Sequence, residues 1–153
     1  MPKIIENKIR DVKFGVKCKI IQPVNLYECK LGDNVFIGPF VEICKDVSIG
    51  KNSRISSHSY ICSKVTIGKN CFIGHGVMFT NDKFLNGKIN RNEDSWLKTK
   101  IADHVLIGSN STILPINICK NVVIGAGSVV TKNINYPGIY AGNPAKLIKK
   151  LKS

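Results

Sequence analysis

Three histidines, at positions 58, 75 and 104, are the residues of this sequence best suited to moving a proton at neutral pH. Six residues beyond His75 stands the pair Asn81-Asp82. An asparagine amide can donate to an oxygen that gains negative charge during a reaction, and a carboxylate can hold an amine or a hydroxyl. The competing reading is a turn-forming Asn followed by a solvated loop charge. Zinc needs about three converging nitrogen or sulfur ligands. The histidine spacings of 17 and 29 do not supply them. The six cysteines (18, 29, 44, 62, 71 and 119) contain no CxxC pair, so no metal is expected. They read as reduced thiols standing in for small residues in a tight interior.

These side chains need a scaffold, and the sequence announces one. Leu31, Ile37, Ile43, Ile49, Ile55, Ile61, Ile67, Ile73 and Phe79 recur at every sixth position. The residue after each is mostly small, as in Gly32, Gly38, Cys44, Gly50, Ser56, Cys62, Gly68 and Gly74. Two before each stands a small or β-branched residue, such as Val35, Val41, Ser53, Ser59 and Cys71. The phase resumes at Ile101, Ile107 and Ile113, slips one residue to Ile118, and continues at Ile124 and Val130. A period of six is neither helical nor simple alternation and reads as an all-β fold, a parallel β-helix. Each hexad is then a short strand plus a corner, and three hexads close one triangular coil. Residues 80–100 break the repeat, an excursion long enough to be functional. Asn143-Pro144 fits an N-cap and first turn, predicting a short helix over about 144–152 with Leu147 and Leu151 on one face.

The length of 153 residues (16.9 kDa) suits a single domain, 1–153. Hydrophobic residues at 43% and charged residues at 22% exclude a disordered chain. The opening MPKIIENKIRD has no apolar run fit for a signal peptide, and nowhere do 18 apolar residues run together. The expectation is therefore a cytoplasmic protein without membrane insertion. The net charge of +13 is carried by scattered lysines, with only three arginines and no nucleic-acid motif. Part of that charge is a solvated surface. The rest suits a small anionic ligand rather than nucleic acid.

Numbering the three sides of the coil A, B and C places Ile37, Ile55, Ile73, Ile107 and Ile124 on side B, provided the excursion returns at side A. Pro39, Ser57, His75, Ser109 and Ala126 then stack along one corner, with His75 two coils, about 10 Å, from Ala126. Phe40 and His58 share a neighbouring line of that corner.

The pattern resembles the hexapeptide-repeat acyltransferases over most of residues 12–146. Three segments sharpen the likeness: NLYECKLGDNVFIGPFVEI (25–43), FIGHGVMFTND (72–82) and IGAGSVVTKNI with YAGNPAK (124–146). Together they are similar to bacterial N-acetyltransferases of nucleotide-linked amino sugars, such as those acting on dTDP-3-amino-3,6-dideoxyhexoses. The resemblance implies a left-handed coil, a homotrimer with sites between subunits, and acetyl-CoA as co-substrate. It implies pantetheine running along the corner of Ser109 and Ala126, His75 and Asn81 at the reacting groups, and Pro144 and Lys146 in the CoA-binding tail. Lys149 or Lys150 joins Lys146 toward the adenosine phosphate. Asp82, His58, Phe40, Asn25 and Tyr27 become candidate acceptor contacts. Trp96 either packs the excursion down or touches CoA. His75 acts as base or only orients the amine, the departing thiol taking the proton. A sugar O-acetyltransferase is the nearest rival. A metal hydrase and an ice-binding β-helix on the same architecture fit less well, for want of converging ligands and of ranked Thr residues.

Overall fold

An apolar side chain at every sixth position can face one interior only if the chain turns after each short extended stretch. The structure, a computed structural model, describes residues 1–6 and 8–151. Its strands are mostly two or three residues long. They stack as the three sheets of a β-helix, with six strands on side A, eight on side B and seven on side C, all parallel except the last strand of side B. The inward column of side A runs Leu31, Ile49, Ile67, Ile101, Ile118. Side B stacks Ile20, Ile37, Ile55, Ile73, Ile107 and Ile124 in register, as the hexad phase requires. On side C, Leu26, Ile43 and Ile61 lead to Phe79, Ile113 and Val130. Ile37, Ile55, Ile73 and Ile107 have no exposed surface, and burying each side chain contributes roughly 1.5–3 kcal/mol.

The corners are built from left-handed residues. The A–B corner holds Asn34, Asn52, Asn70, His104 and Asn121 at φ of 55–59°. Asn is the non-glycine residue most at ease there. Asn34 Nδ2 donates to Asn52 Oδ1 and Asn52 Nδ2 to Asn70 Oδ1, each at 3.1 Å. His104 takes the next place in this column and is a turn residue. The B–C corner carries Phe40, His58, Gly76, Asn110 and Gly127, also at positive φ.

The small residue after each inward Ile has a specific cause. A Cβ on Gly38, Gly74 or Gly108 would lie 2.7, 2.6 or 2.5 Å from the backbone nitrogen of Ser57, Ser109 or Ala126 in the next coil. The approach that these glycines permit is thus made by the neighbouring coil.

The C-terminal expectation needs correction. Residues 144–152 do not form a helix among the described residues, and Lys152 lies outside them. Gly138–Ala141 extends side B, and Lys146–Lys150 folds back antiparallel on it, pairing Tyr140 with Leu147 and Ala141 with Lys146. The Asn143-Pro144 peptide is cis, at the reversal rather than at a helix start. The physical reason is the open edge of the last coil. Its unpaired backbone groups are satisfied by a strand, and a helix laid over them would leave them bare. The excursion departs from expectation only in its bounds, because the repeat resumes at the strand Thr99–Ile101. Inside it is one 3-10 turn, Glu93–Ser95.

Two glycines one coil apart separate these constraints. Gly108→Ala is expected to destabilise by about 2–3 kcal/mol, because stacked backbone must shift. Gly127→Ala, with φ +67° and nothing within 4 Å of its Cβ, is expected to cost only about 1 kcal/mol. Urea denaturation of the two variants checks the ordering.

Candidate functional site

The B–C corner is a continuous backbone ladder. His58 N donates to Pro39 O, Gly76 N to Ser57 O, Asn110 N to His75 O and Gly127 N to Ser109 O, at 2.8–3.2 Å. The series ends at Ala126, whose carbonyl has no such partner among the described residues. Beneath the corner lies a row of buried serines. Ser59, Ser111 and Ser128 donate their hydroxyls to the carbonyls of Gly74, Gly108 and Gly125 at 2.6–2.8 Å. These bonds fix the path of the turn that carries each corner residue.

On this frame His75 is exposed, and its backbone N–H donates to Ser109 Oγ at 3.2 Å. The expected line of His75, Ser109 and Ala126 is therefore present. One coil away from His75, His58 stacks on Phe40 with ring centroids 4.8 Å apart and planes 20° apart. That spacing is the rise of the coil itself. Asn25 adjoins the same corner on side C, paired with Glu42 and accepting from Arg10 Nη1 at 3.3 Å. Gly142 to Ala145 closes over the top of the corner. Val129 N donates to Gly142 O and Ala145 N to Val129 O, so Pro144 and Lys146 sit at the Ala126 end of the line.

The other candidates lie elsewhere. Tyr27 stands near the C–A corner, its ring 4.9 Å beneath the Arg10 guanidinium. Asn81, Asp82 and Trp96 belong to the excursion, which leaves the coil at that same corner. The whole of side C separates Asn81 from His75, up to about 20 Å of extended chain. One chain does not bring the two together. Asp82 organises the excursion, its two carboxylate oxygens accepting from Phe84 N at 2.9 Å and Asn90 N at 2.7 Å. Trp96 packs the excursion down, its indole N–H donating to Asn90 O at 2.8 Å. Lysines that the sequence reading passed over hold this loop to the coil. Lys64 Nζ donates to the carbonyls of Glu93 at 2.6 Å and Asp94 at 2.9 Å, and Lys45 pairs with Glu93.

Four buried thiols are held toward their protonated form. Burial pushes Cys29 up to about 11 and Cys62 up to about 12, and raises Cys44 and Cys71 as well. Cys44 Sγ donates to the Tyr60 hydroxyl at 3.6 Å. Burial is also the main cause that raises the Tyr60 and Tyr27 phenols. Among the described residues no three His, Cys, Asp or Glu side chains are placed to hold a metal ion, and no helix is long and apolar enough to cross a membrane.

Comparison with known proteins adds to this geometry. Residues 28–63 match the family described as bacterial transferase hexapeptide (six repeats). Residues 64–78 and 98–132 match the hexapeptide repeat of succinyl-transferase, and the two matches together span more than half of the chain. The chain is 37% identical over 158 residues to the bifunctional protein GlmU of Buchnera aphidicola, covering 93% of itself and 31% of that protein. It thus spans about a third of the curated relatives' length. A hexapeptide transferase family protein from Anaplasma phagocytophilum shares the fold, with TM-score 0.76 and 17% identity over 92% of this chain and 80% of that one. A maltose O-acetyltransferase from Clostridium difficile 630 aligns with TM-score 0.58 and 26% identity, over 92% and 70% of the two chains.

Native thiols with raised pKa values make stability depend on pH. The unfolded thiols ionise near pH 8.5 while the buried ones keep their protons. The unfolding free energy is expected to be flat below that pH and to fall as pH rises toward 11, by up to about 1.4 kcal/mol per pH unit per thiol. Cys62→Ala should reduce this slope in chemical denaturation measured from pH 7 to 11, and a slope equal to the parent's would contradict the assignment.

Proposed function

We propose that this chain, which belongs to the hexapeptide-repeat bacterial transferases, moves an acetyl group from acetyl-CoA to the amino group of a nucleotide-linked amino-deoxy sugar. The carrying observation is the corner line in which His75 sits two coils from Ala126, whose carbonyl, without a backbone partner among the described residues, ends the ladder. A pantetheine arm is an extended chain with amide N–H groups. Laid along this edge it finds an acceptor at Ala126 and brings its thioester toward His75. Pro144 and Lys146 then flank the cofactor's distal end, where a lysine pairs with phosphate. The likeness to a protein described as an acetyltransferase supports acetyl as the group moved.

The reaction joins the amine nitrogen to the thioester carbonyl carbon and breaks the carbon–sulfur bond. The amine proton leaves to the His75 imidazole or to the departing thiolate, while an amide such as that of Asn81 donates to the carbonyl oxygen. Because side C separates Asn81 from His75, the complete site takes the corner of one copy and the excursion of another, as in a homotrimer. The outward rows support such packing. Side B presents Phe36, Phe72 and Leu106 with Lys19 and Arg54 among them, and side C presents Tyr60 and Met78 beside Glu42, whereas side A presents Lys30 and Lys100 and no apolar side chain from Lys13 to Asn117. Phe40 and His58 flank the corner toward a nucleotide, with Asn25 beyond them.

A second reading, transfer to a sugar hydroxyl, draws on the same maltose O-acetyltransferase likeness. It requires a firm base, since a hydroxyl is the weaker nucleophile.

Three measurements test the proposal. Acetyl-CoA turnover on a panel of nucleotide-linked 3-amino and 4-amino sugars, followed as free thiol, is expected on an amine. Turnover on hydroxyl acceptors alone would reverse that choice. His75→Ala is expected to lower kcat about 100-fold with the acetyl-CoA KM little changed, whereas Lys146→Ala should mainly raise that KM. Light scattering is expected to give three times the chain mass, and an active monomer would contradict the shared site.

A further inference from the structure

The excursion folds back on itself into an open cup of about 540 Å³ at the C–A corner, within the size range of small-molecule sites. Its walls are fixed by short-range bonds. Gly87 N donates to Phe84 O at 2.8 Å to turn the far wall, and Leu97 N donates to Asn81 O at 3.0 Å to close the base of the loop. Asp82 spends its carboxylate oxygens on the backbone nitrogens of Phe84 and Asn90. What these bonds leave uncommitted is positive. Lys83, Lys88 and Arg91 all line the cup, against Asp82 as its one carboxylate. The one ion pair among the described residues, Lys45 with Glu93, lies outside it. Arg91 also differs from the other arginines of the chain. Arg10 lies over the Tyr27 ring at 4.9 Å and Arg54 over the Phe36 ring at 3.8 Å, whereas Arg91 has no ring, carboxylate or carbonyl partner among the described residues. A cavity lined by like charges, with Leu85 and Ile89 as apolar wall, focuses its field and concentrates an ion of the opposite sign.

We infer that this cup holds the diphosphate of a nucleotide-linked sugar, with Arg91 and Lys88 as its principal phosphate contacts. A diphosphate answers the cup better than a single carboxylate does. Its two linked phosphates carry two negative charges, and the cup carries three positive charges less one. A guanidinium meets two phosphate oxygens with its planar fork, and a lysine adds a mobile point charge. The inference rests on the acetyl-transfer reading and deepens it. Asn81 lines the same cup, so the linked sugar stands beside the amide that this reading assigns to the reacting carbonyl. The cofactor's own diphosphate is the other source of the same chemistry. Side C separates the cup from the corner of Ala126, Pro144 and Lys146 on one chain, and the experiment tells the two sources apart.

The intact protein is titrated by calorimetry with dTDP, UDP and GDP, and separately with CoA. At least one of the nucleoside diphosphates is expected to bind, more weakly as salt is raised. Arg91→Gln and Lys88→Gln replace exposed side chains, so both variants are expected to melt at the parent temperature. Affinity for the bound diphosphate is expected to fall about tenfold in each, with CoA affinity unchanged. In turnover the nucleotide-sugar KM should rise by the same factor with kcat near the parent's, as for a contact made equally before and during reaction. No diphosphate binding by the parent, or equal affinity in parent and both variants, would overturn the site. A fall in CoA affinity in the variants would overturn it too, because the cup would then serve the cofactor. The outcomes also separate the two readings. Acetyl transfer to a nucleotide-linked amino sugar with an unchanged KM in both variants sinks the cup and leaves the enzyme. Diphosphate binding lost in the variants, with no acetyl transfer to any amine, does the reverse.

Discussion

Backbone hydrogen bonding between coils is the constraint on which everything else depends. Each short strand pairs with its counterpart one coil away, so the coil rise is fixed at the strand-pairing distance of about 4.8 Å. At that rise there is no room for a Cβ where the chain turns above the next coil's backbone, which is why Gly74 and Gly108 are glycines. The same rise aligns Ile37, Ile55, Ile73, Ile107 and Ile124 into one column and, outside it, aligns His75 with Ser109 and Ala126. The interior and the corner line are two consequences of one translation.

A scaffold of this kind leaves few places for chemistry. Its sides are paired sheet, and turns stacked in register give each corner one repeating conformation. The B–C corner departs from monotony by side-chain choice alone, with Phe40 and His58 stacked, then Gly76, then Asn110. The C–A corner departs by inserting chain. There Lys45 and Lys64 hold the 3-10 turn of the excursion against the coil, Asp82 gathers its first half through the nitrogens of Phe84 and Asn90, Leu97 N donates to Asn81 O to join its two ends, and Trp96 closes it onto Asn90. The loop is thus organised by polar bonds to backbone rather than by a core of its own.

Much of this was legible in the sequence, because the hexad is a direct imprint of the coil. The inward columns on either side of the excursion follow from counting by six, and the corner line of His75 follows once the chain returns at side A, the condition that the structure meets. The tail did not follow, because a Lys-rich segment after Asn143-Pro144 carries helix signals locally, and its strand conformation is decided by the unpaired edge of Gly138–Ala141, a tertiary fact. The loop contacts were hidden for a similar reason. Lys64 occupies an ordinary corner position in the repeat, and its bonds to the carbonyls of Glu93 and Asp94 join residues about thirty apart.

The division of the candidate residues between two corners bears on assembly. A prism cannot bend to bring its own edges together, since its interior is packed from Leu26 to Val130 and its sides are hydrogen-bonded throughout. If His75 and Asn81 act on one substrate, the second edge must come from another copy. The outward rows agree with that requirement. Sides B and C, which meet at the His75 corner, expose Phe72, Leu106 and Met78, whereas side A exposes lysines. Apolar side chains therefore stand on the two faces that a neighbour would have to cover to bring its excursion to this corner, with Arg54 and Glu42 among them, whereas the outward row of side A from Lys13 to Asn117 is polar throughout.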